Sequence, residues 1–465
     1  MKNKLTLFLT VLLLVSATSV CAIEQVSIQI GNWSSEQVDI SGLQVEIDLK
    51  TTGLVISATA NGVQLAEPFG RLSDVRLRCD TLRWVSGQID CQAGQVDFTH
   101  AQWGSQKLSF SVQSQVEEDN YQLSLKNIRI EQGQLSIQAS YQQGDWQAEL
   151  TGQQLALASL MRVVSPYINQ QQLNLFSQWN VNVIADIEAK LKGQQQNLTS
   201  ASVTGALSNV GFSDPSGRYV AETVDAQLTL ELQAESGSWR WEQTLTVDDG
   251  QAYFEPIFLD LAEQPVMLSS EGQLSFNEQR WQIQKLRFEH GESVQAAGQL
   301  QGQNTQLQHL KMDLNSSDIS ILYKDWLQPF IPGSSLSHLQ ASGQLDADIQ
   351  WDNEQYQFIV DLQSVSLADE AGRFSIDRLG GQMAWTNQTA VLPVILSWQS
   401  ASVLSMPLGG STLQAEVSQN QIQFTDSLLL PILDGELTLN NFQLSLAEEQ
   451  GTRWQFQGLL SPVSM

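Results

Sequence analysis

Three cysteines, four histidines and one short run of aspartates are the side chains of this sequence whose types and spacing bear on chemistry. The histidines, His100, His290, His309 and His338, are isolated from the cysteines and from one another, so no zinc-spaced set forms. Asp346, Asp348 and Asp352 of LDADIQWDNE invite a calcium reading. Their alternation makes them the wet face of a strand, and the glycine that an EF-hand loop needs is absent. HExxH, GxSxG, P-loop and dinucleotide fingerprints are missing. The chain is therefore expected to be no enzyme, with no catalytic residue, no metal and no cofactor. One covalent link is expected. Cys79 and Cys91 flank DTLRWVSGQID, whose Ser86-Gly87 suits a turn near the midpoint, so they are placed to face each other across a hairpin. Closing that loop stabilises by roughly 3 kcal/mol.

The disulfide presupposes export, and the N-terminus supplies it. MKNKLTLFLTVLLLVSATSVCA carries two lysines, an apolar run from Leu5 to Val15, then small residues, with Val20-Cys21-Ala22 fitting a signal-peptidase site. Residues 1–22 are read as a signal peptide cleaved after Ala22, or as a retained membrane anchor. The formal charge of −27 becomes −29 once Lys2 and Lys4 leave with that segment. Such a charge argues against nucleic acid and against docking on anionic lipid heads. Four Asn-x-Ser/Thr sequons stand at Asn32, Asn197, Asn315 and Asn387.

What must position any site is a β-sheet. YQLSLKNIRIEQGQLSIQASY sets Leu123 and Leu125, Ile128 and Ile130, then Leu135 and Ile137 at period two, with Gly133 at the turn. EGQLSFNEQRWQIQKLRF does the same with Leu274, Phe276, Trp281, Ile283, Leu286 and Phe288. Strict alternation gives each strand one apolar and one wet face. The steps from Leu125 to Ile128 and from Ile283 to Leu286 change parity, which implies a bulge or a strand end. Short strands, tight turns and almost no crossover helices specify an antiparallel meander. Of the thirteen tryptophans, Trp239 and Trp241 form a same-face pair that a sugar ring would stack on, whereas isolated ones such as Trp146 and Trp281 read as packing.

The chain also repeats. VQLAEPFGRL (63–72), VGFSDPSGRY (210–219) and VSLADEAGRF (365–374) share one pattern, with an acid four residues before an arginine: Glu67 and Arg71, Asp214 and Arg218, Asp369 and Arg373. The pattern reads as a strand end, a turn closed by glycine and a return strand, with an exposed acid–arginine pair worth about 0.5 kcal/mol. Two amphipathic helices interrupt the strands. SSDISILYKDWLQPFIPG has Ser317 or Asp318 as N-cap and Ile319, Leu322, Tyr323, Trp326, Leu327 and Phe330 on one stripe, ended by Pro332-Gly333. LALASLMRVVSPYI repeats it with Leu157, Leu160, Met161, Val164 and Ile168. Three diverged β units follow: residues 23–152, 153–315 and 316–465.

About 12 residues per strand and turn gives about 30 strands, far beyond the ten or so at which open sheets curl or split. The apolar face is then either packed on itself or left as a gutter for an apolar ligand. The leader, the strands opened by Gly-Gln-Leu, DISILYKDWLQPFIPGSSLSHLQASGQLDADIQW and LLLPILDGELTLNNFQL resemble the AsmA-like superfamily, closest to its YdbH type. The resemblance covers most of the chain and implies a mainly β, taco-shaped open groove in the periplasm of a Gram-negative bacterium. It further implies an inner-membrane anchor through the N-terminal segment, phospholipid acyl chains as cargo on the way to the outer membrane, and an outer-membrane or periplasmic protein partner. The Leu, Ile and Phe sets named above would line the acyl-chain path. Relatives are longer, so the chain is expected to be the membrane-proximal fragment of such a protein. The competing expectations are an envelope scaffold with self-packed sheets and a glycan-binding or adhesin-like repeat protein.

Overall fold

The computed structural model describes residues 24–35, 38–50, 53–65, 70–85, 87–101, 103–158, 179–334, 336–447 and 451–461. The leader 1–22, Glu67, Ser86 and the expected helix beyond residue 158 lie outside the described residues. Among the described residues, strands β1 to β27, numbered in chain order, form one antiparallel sheet of 27 strands joined as a meander, with a few short helical turns. The fold class read from the alternation is thus the one observed. The chain divides into two compact units, Met1–Trp146 and Gln147–Met465. The first expected unit boundary, at 152, falls inside the strand β9 (Asp145–Ala156). At the second, near 315, the ladder runs on: β18 (Gln306–Ser316) pairs directly with β19 (Leu339–Asp352).

In the first unit, β4 (Arg71–Val85) and β5 (Gln88–His100) form the hairpin expected to carry the disulfide. Cys79 and Cys91 are bonded, with Cα atoms 6.2 Å apart, and both are buried against Leu54, Ile56, Phe110 and Val112. They sit on the apolar face, so the bond is shielded by apolar side chains as well as closing a loop. Replacing both by alanine should lower this unit's unfolding free energy by about 3 kcal/mol, read from the urea midpoint. An unchanged midpoint would mean that the disulfide does not hold this unit.

β7 (Asn120–Ile130) and β8 (Gly133–Gln142) contain the first parity step. The ladder shifts between Leu125 and Ile128, and Asn127 sits at φ 66°. One extra residue there returns Ile128 to the face that carries Leu123 and Leu125. The same device acts in β16 (Arg280–His290), where the register shifts between Ile283 and Leu286. Both steps are bulges, and both keep the apolar set on one face.

The second and third tips match in detail. Asn209 and Thr223 in one, and Ser364 and Arg378 in the other, hold left-handed backbone beside the facing pairs Val210–Val224 and Val365–Leu379. These tips differ in what their acids do. Arg373 donates to Asp369 through Nη2 at 2.6 Å and Nε at 2.9 Å, and Asp369 is buried rather than exposed. Arg218 instead pairs with Glu255 at 3.0 Å, and Asp214 accepts from the Ser216 hydroxyl and from Tyr219 N–H. The expected acid–arginine pair therefore forms at one described tip and not at the other. The cause is Glu255, which gives Arg218 a nearer partner.

Hydrogen bonds from the Arg373 guanidinium, then from its backbone N–H, hold the Asp369 carboxyl at about 2. A depressed folded-state value means that this stabilisation is complete above the ordinary carboxylate range and is lost as pH falls towards 2. Urea midpoints measured from pH 5 down to 2 should fall more steeply for the wild type than for Asp369→Asn. Parallel curves would contradict that assignment.

The longest described helical segment, α1 (residues 319–330), starts where the sequence places it: the Asp318 carboxylate accepts the Ser320 N–H at 2.9 Å. Ile319, Leu322 and Tyr323 are buried as expected. Leu327 and Phe330, expected on the same stripe, are exposed. Residues 322–327 wind as a π-helix and 328–330 as a tight 3-10 turn. The wider turn rotates later residues off a stripe laid out at 3.6 residues per turn.

Candidate functional site: an open apolar face

The second unit carries an apolar surface that can be followed residue by residue. Ile187 of β10 (Asn180–Gln194) faces Gly205 of β11 (Asn197–Ser213), which faces Leu228 of β12 (Tyr219–Glu235) and then Leu245 of β13 (Ser238–Phe254). The line continues through Leu268 of β15 (Val266–Ser275), Phe288 of β16, Ala296 of β17 (Val294–Gln303) and Leu314 of β18. It runs on through Ala347 of β19, Val360 of β20 (Gln355–Asp369) and Met383 of β21 (Phe374–Thr386). Three parallel lines flank it, starting at Leu191, Ala189 and Ala185, and the Ala185 line reaches Gly381 through Leu345 and Leu362. No Asp, Glu, Lys or Arg stands on any of the four lines. Their polar members include Gln243, Ser270, His290 and Ser316, and Ser270 accepts the Trp241 indole N–H at 3.1 Å.

Flat aromatics and missing side chains smooth this face. The Trp241 ring lies over Gly272, where an added Cβ would meet it at 2.4 Å. Trp281 covers Gly302 in the same way and donates its N–H to the Asn304 carbonyl. Glycine leaves a seat for the neighbouring ring, and the ring restores the apolar contact that glycine lacks.

Among the described residues, no second layer seals the middle of the face. Leu228, Leu230, Leu245, Leu268 and Leu300 are half-buried, as expected for a pleated surface with neighbours in the sheet and no second layer above. Val294, Leu345 and Val365 are fully buried where α1 lies, and the small residues Ala185, Ala201 and Ala226 are buried between their neighbours in the sheet. The opposite face is wet. It carries Lys285 paired with Glu271 at 2.9 Å, and Asp346 accepting from Asn315 and Gln363. Two depressions of about 540 and 620 Å³ lie on that wet side, bordered by Arg287 and Asp313. They are charged and open, although Ala296, Leu314 and Ala347 of the central line also border the first and Gln243, Ser270 and Leu286 border the second.

No family model matches the chain, and no curated protein or solved structure is found similar to it.

Of the expected lining residues, Leu123, Leu125, Ile128, Ile130, Leu135 and Ile137 share the apolar face of the first unit. Ile130 is buried there, while Leu123 remains 39% exposed. Leu274, Trp281, Ile283, Leu286 and Phe288 share the apolar face of the second unit. Phe276 does not join them. It follows the end of β15 in a turn and is 63% exposed. The two sets belong to different units, and each belongs to its own unit's face. Sequence reasoning missed the longest part of the face, on β10 to β13. AQLTLEL (226–232) and TLTV (244–247) alternate as strictly as the segments it used, so the signal was there.

The remaining chemistry-bearing residues are accounted for locally. Asp346 and Asp348 stand on the wet face, and Asp352 pairs with His309 at 3.0 Å. Among the described residues no group of three or more His, Cys, Asp or Glu side chains is arranged to hold a metal ion. Trp239 and Trp241 do share a face, opposite Leu274 and Gly272 on the apolar side. Among the described residues no helix is long and apolar enough to cross a membrane.

Proposed function

We propose that this chain is a non-enzymatic lipid carrier of the bacterial envelope, solvating phospholipid acyl chains on its apolar face in the periplasm between inner and outer membrane. The observation that carries the reading is the set of four charge-free lines across up to eleven strands of the second unit, three of them half-buried along most of their length, with no covering layer among the described residues except at α1. The resemblance to the AsmA-like superfamily supports the same reading. It supplies the setting: residues 1–22 at the inner membrane and a protein partner towards the outer one. A chain that moves from one strand to the next, about 4.8 Å on, exchanges apolar contacts for similar ones. Leaving the face for water instead costs about 0.8 kcal/mol per CH₂. Transport along the face therefore needs no cofactor on this protein.

An envelope scaffold with self-packed sheets would bury Leu228, Leu245 and Leu268 under a second layer, and their half-burial weighs against it. A glycan site at Trp239 and Trp241 would need polar neighbours, whereas theirs are Leu232, Ala234, Gly272 and Leu274.

A photoreactive amino acid in place of Leu228, Leu245 or Leu268, in living cells with radiolabelled phospholipid, tests the proposal directly. Lipid adducts are expected at these three positions and not at Thr229, Thr244 or Ser269, which face the other way. Adducts on neither face, or equally on both, would overturn it.

A further inference from the structure

Where α1 lies on the apolar face, two polar contacts tie it to the sheet: the Tyr323 hydroxyl accepts the Leu339 N–H of β19 at 3.1 Å, and Trp326 binds His290. Trp326 donates its indole N–H to Nδ1 of His290 at 3.0 Å, and the two rings meet edge-on. Trp326 also packs edge-on against Phe288. It touches two apolar clusters, one with Leu259 and Leu261 and the other with Val294 and Leu345. His290 is 1% exposed, and its Nε2 has no partner. An imidazole that accepts at Nδ1 must be neutral, with its proton on Nε2. A second proton can be added only at Nδ1, which sets two N–H groups against each other and leaves a cation buried among apolar side chains.

We propose that α1 is an acid-released latch: protonation of His290 breaks its bond to Trp326, frees α1 and uncovers the apolar rows beneath. Its mechanics rest on the Trp326–His290 contact, and its meaning for transport rests on the lipid-carrier reading.

The charged groups around His290 set the window. Asp325 of α1 acts on His290 directly, and Lys324 of α1 and Glu263, in the turn after β14 (Ile257–Asp260), act on Asp325. On the next two strands, the facing positions Val294 and Ser316 carry no charge. Burial lowers the His290 pKa from its ordinary 6.5, against the pull of the Asp325 carboxylate. A histidine depressed in the docked state favours docking fully above that ordinary value and less as pH falls below it. Burial raises the Asp325 pKa, so its protonation works the other way in more acidic solution. Release is therefore expected between the ordinary histidine value and the range where Asp325 takes up its proton.

Hydrogen exchange of the full chain at pH 7.5 and 5.5, corrected for intrinsic rates, tests the latch. Protection of residues 319–330 should fall at least tenfold in acid, while β12 and β13 hold theirs. His290→Gln keeps an acceptor that does not titrate and should abolish the response. Trp326→Phe should leave α1 open at both pH values. A flat wild type, or a His290→Gln response as large as the wild type's, overturns the proposal. Because no lipid enters this readout, a chain with an acid-responsive α1 and no bound lipid would sink the carrier reading and leave the latch standing.

Discussion

Leu245→Asp is expected to abolish lipid binding while leaving the sheet folded. Leu245 stands in the middle of β13 and of the apolar face, half-buried, with Leu228 and Leu268 opposite it. A carboxylate there reaches solvent, so the fold loses about 1–2 kcal/mol of apolar contact and no buried charge is created. An acyl chain crossing that point would have to desolvate the charge. Val365→Asp is the contrasting case. Val365 is 1% exposed beneath α1, among Val294, Leu322 and Leu345. A charge there has no partner and should cost several kcal/mol, unfolding the region. Circular dichroism beside a lipid-binding measurement separates the two. If Leu245→Asp unfolds as Val365→Asp does, the face is sealed in solution and the open-face reading falls.

Gly343→Ala should be a severely damaging single-methyl change in the second unit. Gly343 holds φ at 113°, and an added Cβ would lie 2.7 Å from the Val365 Cα and 2.8 Å from the Ser364 carbonyl oxygen. Both obstacles are backbone of the bulged neighbouring strand, which cannot swing aside. The strained backbone and the clash together should cost about 3 kcal/mol. Gly217→Ala is the control, with φ at 69° and nothing within 4 Å of its Cβ. It should cost only about 1 kcal/mol, from the left-handed conformation. Equal urea midpoints for the two variants would show that the neighbouring bulge gives way.

Most of the fold was legible in the sequence because alternation at period two is a property of the backbone and survives heavy divergence. Leu123 to Ile137 and Leu274 to Phe288 each revealed a strand pair, its two faces and even its bulge, since an extra residue shows as a parity change. The hairpin disulfide was legible for the same reason: Cys79, Cys91 and a glycine between them fix a turn. What escaped depended on contacts between distant residues. Nothing near Arg218 in the sequence says that Glu255 will outcompete Asp214. Nothing in the spacing of α1 signals a π turn that swings Leu327 and Phe330 outward. His290 read as an isolated histidine because its partner, Trp326, lies 36 residues on, across two strands. Phe276 was counted as lining because the alternation runs on past the last paired residue, Ser275.

The most direct test of the carrier reading is mass spectrometry of lipid co-purifying with the full chain expressed in a bacterial periplasm, beside Leu245→Asp. Stoichiometric phospholipid on the wild type, lost from the folded variant, is the result expected. A well-folded wild type carrying no lipid would contradict it, and the protein would then be sought among the scaffolds of the envelope.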